Sequence, residues 1–144
     1  MKNIEFAHQV IKMMPQLHRA AIQGLHQDKQ ILGMNVHHMV VLDLIKEKGP
    51  TNMGNIAKAL HLSMSSATAV VDRIVRLGLI NRARSSADRR SVIVSFKPKG
   101  EQTLERLNRV RLETISNLYA PLDDEERAQY LALLTKVYNN IVTG

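Results

Sequence analysis

The sequence has no cysteine and no tryptophan among its 144 residues, and it has only two Phe and three Tyr. Without thiols there can be no disulfide, no cysteine nucleophile, no thiolate metal ligand and no regulation by thiol oxidation. Proteins that bind single-stranded nucleic acid stack bases on exposed aromatic side chains. The shortage of aromatic residues therefore argues against that class of protein.

Long hydrophobic runs are also missing. No apolar stretch reaches the roughly 20 residues that a membrane-spanning helix needs. The first eight residues include Glu5 and His8 before any apolar segment, which is unlike a secretory signal peptide. Hydrophobic residues make up 44% of the chain, enough for one packed core. We therefore predict a single soluble, cytoplasmic domain with no membrane partner.

Recognisable catalytic and metal-binding patterns are absent as well. No nucleophile and general base occur at a sequence spacing that is typical of a catalytic pair. His37 and His38 are adjacent, so on a helix they point about 100° apart and make a poor chelate. The other four histidines are scattered along the chain. We predict that the protein is not an enzyme and holds neither a metal nor a cofactor.

What the chain does have is a concentrated positive charge. The formal net charge is +7. Residues 61–100 contain eight Lys or Arg against two acids, whereas residues 101–144 contain five against seven. A basic patch gains affinity for polyphosphate by releasing counterions. The charge alone is equally compatible with a solvated surface that has no partner. The helices and strands predicted around the basic residues decide between these two interpretations.

Both ends of the chain show helical periodicity. Apolar residues at three- and four-residue spacing predict long amphipathic helices over residues 4–25 and 98–119, and another from the acids at 123–126 to residue 142. Pro15 predicts a kink in the first of them. Packed only on one another, these helices would leave apolar stripes exposed. We therefore predict a homodimer, the commonest way to cover such stripes, rather than a monomer with the helices folded back.

The middle of the chain predicts three short helices and a hairpin. The helices cover residues 36–48, 53–60 and 64–77, with Asn35 and Ser63 as caps and Gly78 as a stop. Strands follow at 79–84 and 90–96, joined by the loop 85–88. This order is typical of a winged helix-turn-helix. In that fold the last of the three helices, here 64–77, enters the DNA major groove, and the hairpin, or wing, contacts the backbone or minor groove.

The outward face of the predicted reading helix suits double-stranded DNA. Its candidate DNA-binding residues are short hydroxyls, a small residue and two arginines: Ser65, Ser66, Thr68, Ala69, Arg73 and Arg76. The hydroxyls can donate or accept at base edges, and Ala69 permits approach to a thymine methyl group. The arginines suit phosphates or guanine. Asp72 would repel phosphate, so we expect it to orient Arg73, Arg76 or an arginine of the wing strands.

The predicted wing carries the remaining candidates. Asp88 can buttress the loop and fix an arginine, so that Arg90 reaches a narrow minor groove preorganised. Arg82, Arg84 and Arg89 extend the positive surface toward flanking phosphates. An Asp–Arg pair that only stabilises the hairpin is the alternative, and both roles are compatible for Asp88.

These segments resemble a known family. The run DRIVRLGLINR at residues 72–82, followed by DRRSVIVSFKPKG at 88–100, is similar to the MarR (multiple antibiotic resistance regulator) family of transcription factors. The resemblance covers nearly the whole chain. Its most specific part is the Asp88–Arg90 pair, followed by a β-branched strand and a Lys-Gly helix start.

The resemblance implies a fold and a function. The fold class is mainly α with a small β-wing, as one winged helix-turn-helix domain over 1–144. Residues 1–33 and 98–144 form dimerisation helices, and 34–97 form the DNA-binding lobe, with the helix-turn-helix at about 53–77 and the wing at about 79–97. The function is that of a dimeric regulator that binds an inverted-repeat operator. By residue match, Arg90 takes the wing-tip role with Asp88 as its support.

Family members are mostly repressors, and many release DNA when a small phenolic or lipophilic effector binds between the dimerisation helices and the winged lobe. The corresponding region here is around Met14, His18, His38 and Met39. His38 and Met39 stand where a Gln and an aromatic residue are common, so we expect any effector pocket to have its own shape. The alternative function is a winged-helix protein-interaction module without specific DNA binding, but its reading helix would be apolar or acidic on the outward face.

Overall fold

The computed structural model describes residues 1–28, 31, 33–88 and 90–144. Within these residues the chain forms six helices and three short strands. In chain order they are α1 (Asn3–Gln27), α2 (Val36–Lys48), β1 (Thr51–Asn52), α3 (Met53–Leu60), α4 (Met64–Arg76), β2 (Ile80–Arg84), β3 (Val92–Phe96), α5 (Pro98–Leu118) and α6 (Asp124–Thr143). The predicted fold class, mainly α with a small β-wing, is confirmed.

Capping residues explain why the helices begin where they do. Asn35, Asn52 and Ser63 each accept a hydrogen bond, through the side-chain oxygen, from a backbone N–H in the first turn of the helix that follows. Asp123 does the same for α6, where Glu126 completes a reciprocal capping box. Each cap satisfies one of the backbone donors that a helix start leaves unpaired. Gly49 and Gly78 then end helical segments with positive φ angles of 77° and 78°, which glycine adopts without strain.

The sheet contains one strand that sequence reasoning missed. Strand β3 lies in the centre and pairs antiparallel with β2 on one side and with β1 on the other. Thr51 in β1 faces Val94 of β3, which is fully buried. A strand of two residues is too short to show alternating hydrophobicity. It is held by its ladder to β3, and only the tertiary structure reveals it.

The structure divides into two compact units. We call residues 25–110 the central unit and residues 1–24 with 111–144 the terminal unit. The divisions between the two units fall inside α1 and α5. The assignment of residues 1–33 and 98–144 to dimerisation helices stays a prediction.

The hydrophobic core of the central unit joins its helices to its sheet. Large side chains that are fully buried come from nearly every element, namely Ile31, Leu42, Ile56, Ile74, Ile80, Val94, Leu104 and Leu107. At its border, the Arg106 guanidinium of α5 contacts the Asp28 carboxylate at 2.6 Å. Gly100 lies so close to the backbone of Leu79 that a methyl group at Gly100 would overlap the Leu79 carbonyl oxygen. The start of α5 is thus packed directly on the residue that precedes β2.

The terminal unit has a different character. Helix α6 buries none of its residues, and large apolar side chains such as Leu131 and Ile141 are more than half exposed. Tyr119 and Tyr130 share a hydrogen bond of 2.7 Å between their hydroxyls, with ring centroids 4.9 Å apart. That hydrogen bond raises the pKa of Tyr119. Over the part of the chain that the structure describes, none of these helices combines the length and apolar character needed to cross a membrane.

The cap of α2 is unusual because a histidine takes part in it. The backbone N–H of His38 donates to Asn35 Oδ1, and the backbone N–H of Asn35 donates to His38 Nδ1, both at 3.1 Å. The second bond requires an unprotonated Nδ1. Burial, followed by the charges of Arg73 and His37, lowers the pKa of His38 below its usual 6.5. Protonation of this imidazole therefore opposes the folded state.

We expect the His38 cap to make stability pH-dependent. Because the pKa is lower in the folded protein, the unfolded chain binds more protons, so the free energy of unfolding falls as pH drops below about 6.5. His38→Gln keeps a reciprocal capping side chain without a titrating group and should flatten that fall. Urea denaturation at several pH values from 7.5 to about 5 measures it. His37→Gln, at the exposed neighbour, should leave most of the slope, and equal slopes for wild type and His38→Gln would contradict the prediction.

Candidate nucleic-acid interface

Helix α4 presents one buried stripe and one open face. Ala67, Val71 and Ile74 are fully buried. Val70 and Leu77, each three residues beyond a buried position of this stripe, are only half-buried. The opposite side leaves Ser65, Ser66, Ala69, Arg73 and Arg76 exposed and Thr68 half-exposed. All six predicted reading residues therefore lie on the accessible side of the helix.

The turn before α4 sets the direction of this helix. His61 adopts a left-handed backbone with φ of 53° and ends α3. The backbone N–H of Leu62 donates to the carbonyl of Ala57 at 3.1 Å. Ser63 then caps α4 by accepting from the backbone N–H of Ser66 at 3.1 Å. A tight three-residue connection of this kind holds α3 and α4 as a helix-turn-helix.

An ion pair joins the reading helix to the wing. The Asp72 carboxylate of α4 contacts the Arg82 guanidinium of β2. Each side chain is about one-third exposed, so the pair stabilises the fold modestly. Among the arginines that Asp72 was expected to orient, the structure selects one on a wing strand. Arg82 is thereby held at the foot of the wing, next to α4.

Arg73 points back toward the start of α2. A methyl group on Gly33 would lie 3.8 Å from Nη2 of Arg73, and the charge of Arg73 contributes to the lowered pKa of His38. The side chain is nonetheless exposed. Its position places a positive charge beside the loop that precedes α2, at the edge of the open face of α4.

In the wing loop, Asp88 binds backbone and hydroxyl groups. Its Oδ1 accepts from the backbone N–H of Arg90 at 3.0 Å, and its Oδ2 accepts from the hydroxyl of Ser91 at 3.3 Å. Ser85 Oγ accepts from the backbone N–H groups of Ala87 and Asp88. Asp88 therefore supports the loop by fixing the backbone of Arg90. The predicted contact residue Arg89 lies outside the described residues.

Two arginines of the wing, Arg84 and Arg90, have exposed side chains. Across the described ranges, no side-chain partner of the Arg90 guanidinium is found. An arginine whose backbone is held by Asp88 while its guanidinium remains accessible is suited to a groove or phosphate of DNA.

Asp88 generates a prediction about loop order. Asp88→Ala removes the acceptor of the Arg90 backbone N–H, so that amide should exchange with solvent faster, by about fivefold if the bond contributes ~1 kcal/mol. Asp88→Asn retains Oδ1 as an acceptor and serves as the matched control, with exchange close to wild type. Amide hydrogen exchange read by NMR measures both variants. Unchanged exchange at Arg90 in the alanine variant would show that Asp88 does not order the loop.

The predicted effector-region residues fall in both units. Met14 and His18 lie on α1 in the terminal unit and are exposed. His38 and Met39 lie on α2 in the central unit and are buried, at 5% and 8% exposure. The α2 cap fixes the tautomer of His38. Because Nδ1 accepts a hydrogen bond there, the proton of the neutral ring is on Nε2. Within the described ranges, no three His, Asp or Glu side chains cluster as a metal site would require.

Comparisons with known proteins agree on one family. The model of the MarR family matches residues 34–92. YpoP of Bacillus subtilis, named as an uncharacterized HTH-type transcriptional regulator, is 30% identical over 101 residues, which are 70% of this chain and 72% of YpoP. YkoM of the same organism, with the same description, is 24% identical over 135 residues, covering 94% of this chain and 88% of YkoM.

A solved structure supports the fold. FabT of Streptococcus pneumoniae, determined in complex with DNA, has a TM-score of 0.80 to this chain at 18% identity, and the match covers 99% of both chains. At that identity the likeness concerns the fold alone.

Proposed function

The chain belongs to the MarR family of DNA-binding transcriptional regulators, and on that premise we propose that it acts as a homodimer on an inverted-repeat operator in double-stranded DNA. The single observation that carries this proposal is the open face of α4. It is lined by hydroxyls and arginines and is joined to an arginine-bearing wing by the Asp72–Arg82 pair. Such a face offers base-edge contacts from the helix and phosphate or minor-groove contacts from the wing.

The charge and the polarity of this face favour DNA over a protein partner. A winged-helix protein-interaction module would present an apolar or acidic reading helix. Helix α4 instead exposes two serines and two arginines, and the segment 61–100 carries the largest positive charge of the chain. The comparisons support the DNA-binding regulator and not this alternative.

The terminal unit supports the proposed dimer. An apolar groove on α6 is lined by Leu131, Leu134, Thr135, Val137, Tyr138 and Ile141. A second copy of the same helix would remove these side chains from water, with about 25 cal/mol gained per Å² of apolar surface covered. A two-fold axis through such an interface presents two winged units, which requires a symmetric operator.

We further propose a repressor that acts in the cytoplasm without catalysis, released by a small phenolic or lipophilic effector. Family membership supports the regulatory role, since the relatives are named as transcriptional regulators. The effector region around Met14, His18, His38 and Met39 stays a prediction. A shift in operator affinity on adding salicylate, a simple phenolic acid, is its direct test.

The wing contact is tested by Arg90→Ala. Loss of a groove contact should weaken operator binding by about 1–3 kcal/mol, and loss of a phosphate contact should instead lower the salt slope by about 1. Fluorescence anisotropy on an operator selected from random duplexes, at several salt concentrations, distinguishes the two. Arg109→Ala removes an exposed arginine of α5 and controls for net charge. If both variants bind like wild type, the wing does not contact DNA.

The dimer is tested by Ile141→Glu. This side chain is 71% exposed in the chain and lines the α6 groove, so burying a carboxylate there should split a dimer into monomers. Sedimentation velocity measures the mass. Gln129→Glu adds the same charge at an exposed polar position of α6 and should remain dimeric. A wild type that sediments as a monomer would exclude the proposed assembly.

A further inference from the structure

The hydroxyls on the open face of α4 are not equivalent, because neighbouring groups already use some of their protons. Thr68 Oγ1 donates to the carbonyl oxygen of Met64 at 2.8 Å. Ser63 Oγ donates to Ser66 Oγ at 3.0 Å. In the described part of the chain, no hydrogen bond of the Ser65 hydroxyl is found. The three hydroxyls thus offer different hydrogen-bonding groups to a ligand.

The bond to Met64 leaves Thr68 without a donor. A hydroxyl has one proton and two acceptor lone pairs. With its proton committed to the preceding turn, Thr68 can offer a lone pair and a methyl group. This conformation is a standard one for threonine in a helix, where the branched Cβ restricts χ1 and Oγ1 bonds the carbonyl four residues earlier. Ser66 has the opposite character, since its oxygen accepts from Ser63 and its own proton remains available.

The major groove distinguishes an acceptor from a donor. The exocyclic amino groups, N6 of adenine and N4 of cytosine, are the donors there, whereas N7, O6 and O4 accept. We propose that Thr68 reads DNA only as a hydrogen-bond acceptor and selects a base with an exocyclic amino group, adenine or cytosine, at the position it faces. The inference rests on the proposed function, which it extends to one element of base preference.

Asp72 strengthens this preference. It lies one helical turn beyond Thr68, and residues four apart share a helix face. Its carboxylate is an acceptor, and its Oδ1 contacts the Arg82 guanidinium. An acceptor at this place, like the lone pair of Thr68, suits an amino hydrogen and not the lone pairs of guanine O6 or thymine O4. Two acceptors in succession therefore mark this stripe of α4.

The experiment combines a substitution in the protein with the removal of one base group and compares the effects on DNA affinity. The wild type first selects an operator from random duplexes. Each adenine of a half-site is then replaced in turn by purine, which lacks the N6 amino group, and each cytosine by 2-pyrimidinone, which lacks the N4 amino group. Dissociation constants are measured for wild type and for Thr68→Val, which keeps the branched shape and one methyl but has no hydroxyl.

We expect one position per half-site at which removing the amino group weakens the wild type about fivefold but leaves Thr68→Val unaffected. Changes in duplex stability are common to both proteins and cancel in the comparison. Thr68→Ser retains the hydroxyl and should restore the wild-type sensitivity. Thr143→Val is the matched control, because it removes a threonine hydroxyl of α6 that bonds back to the carbonyl of Asn139 in the same way, and it should keep the sensitivity at that position.

Two results would overturn the inference alone. In one, removing N7 with 7-deazapurines weakens binding by the wild type but not by Thr68→Val, which would make Thr68 a donor. In the other, no position couples to Thr68→Val, so that Thr68 does not read bases. A wild type that selects no sequence at all would instead overturn the proposed function and the inference with it.

Discussion

One stripe of α4 is buried, and that burial determines which side chains this helix presents to solvent. Ala67, Val71 and Ile74 have no exposed surface, and full burial of a Val or Ile side chain contributes about 1.5–3 kcal/mol. Rotating the helix would expose this stripe and bury serines and arginines. The outward residues are therefore held in place by packing on the other side, and the Ser63 cap sets where the helix begins.

The wing depends indirectly on the same packing. Strand β2 begins at Ile80, which is fully buried, and its next arginine reaches back to Asp72 of α4. Strand β3 is held between β2 and β1 through Val94. Reading helix and wing thus share one core and move as parts of one unit. By contrast, α6 has no buried residue, and its exposed apolar side chains are the surface that the proposed dimer would cover.

The pattern of hydroxyl protons adds chemical detail to this geometry. A sequence lists Ser65, Ser66 and Thr68 as three similar polar residues. The structure separates them, because Thr68 bonds back to Met64 and Ser66 receives a proton from Ser63. Local hydrogen bonds of serine and threonine to their own helix are common, and under the proposed function they decide which groups of α4 remain for the bases.

The sequence by itself determined the helices, the helix-turn-helix and the two five-residue wing strands, because apolar spacing and capping residues are local properties. The predicted bounds 36–48 and 53–60 match α2 and α3, whose caps Asn35 and Asn52 stand beside them. It could not determine β1, whose two residues carry no pattern, or which arginine Asp72 would pair with. Those outcomes depend on contacts between residues distant in sequence, such as Thr51 with Val94 and Asp72 with Arg82, and only the folded chain brings them together.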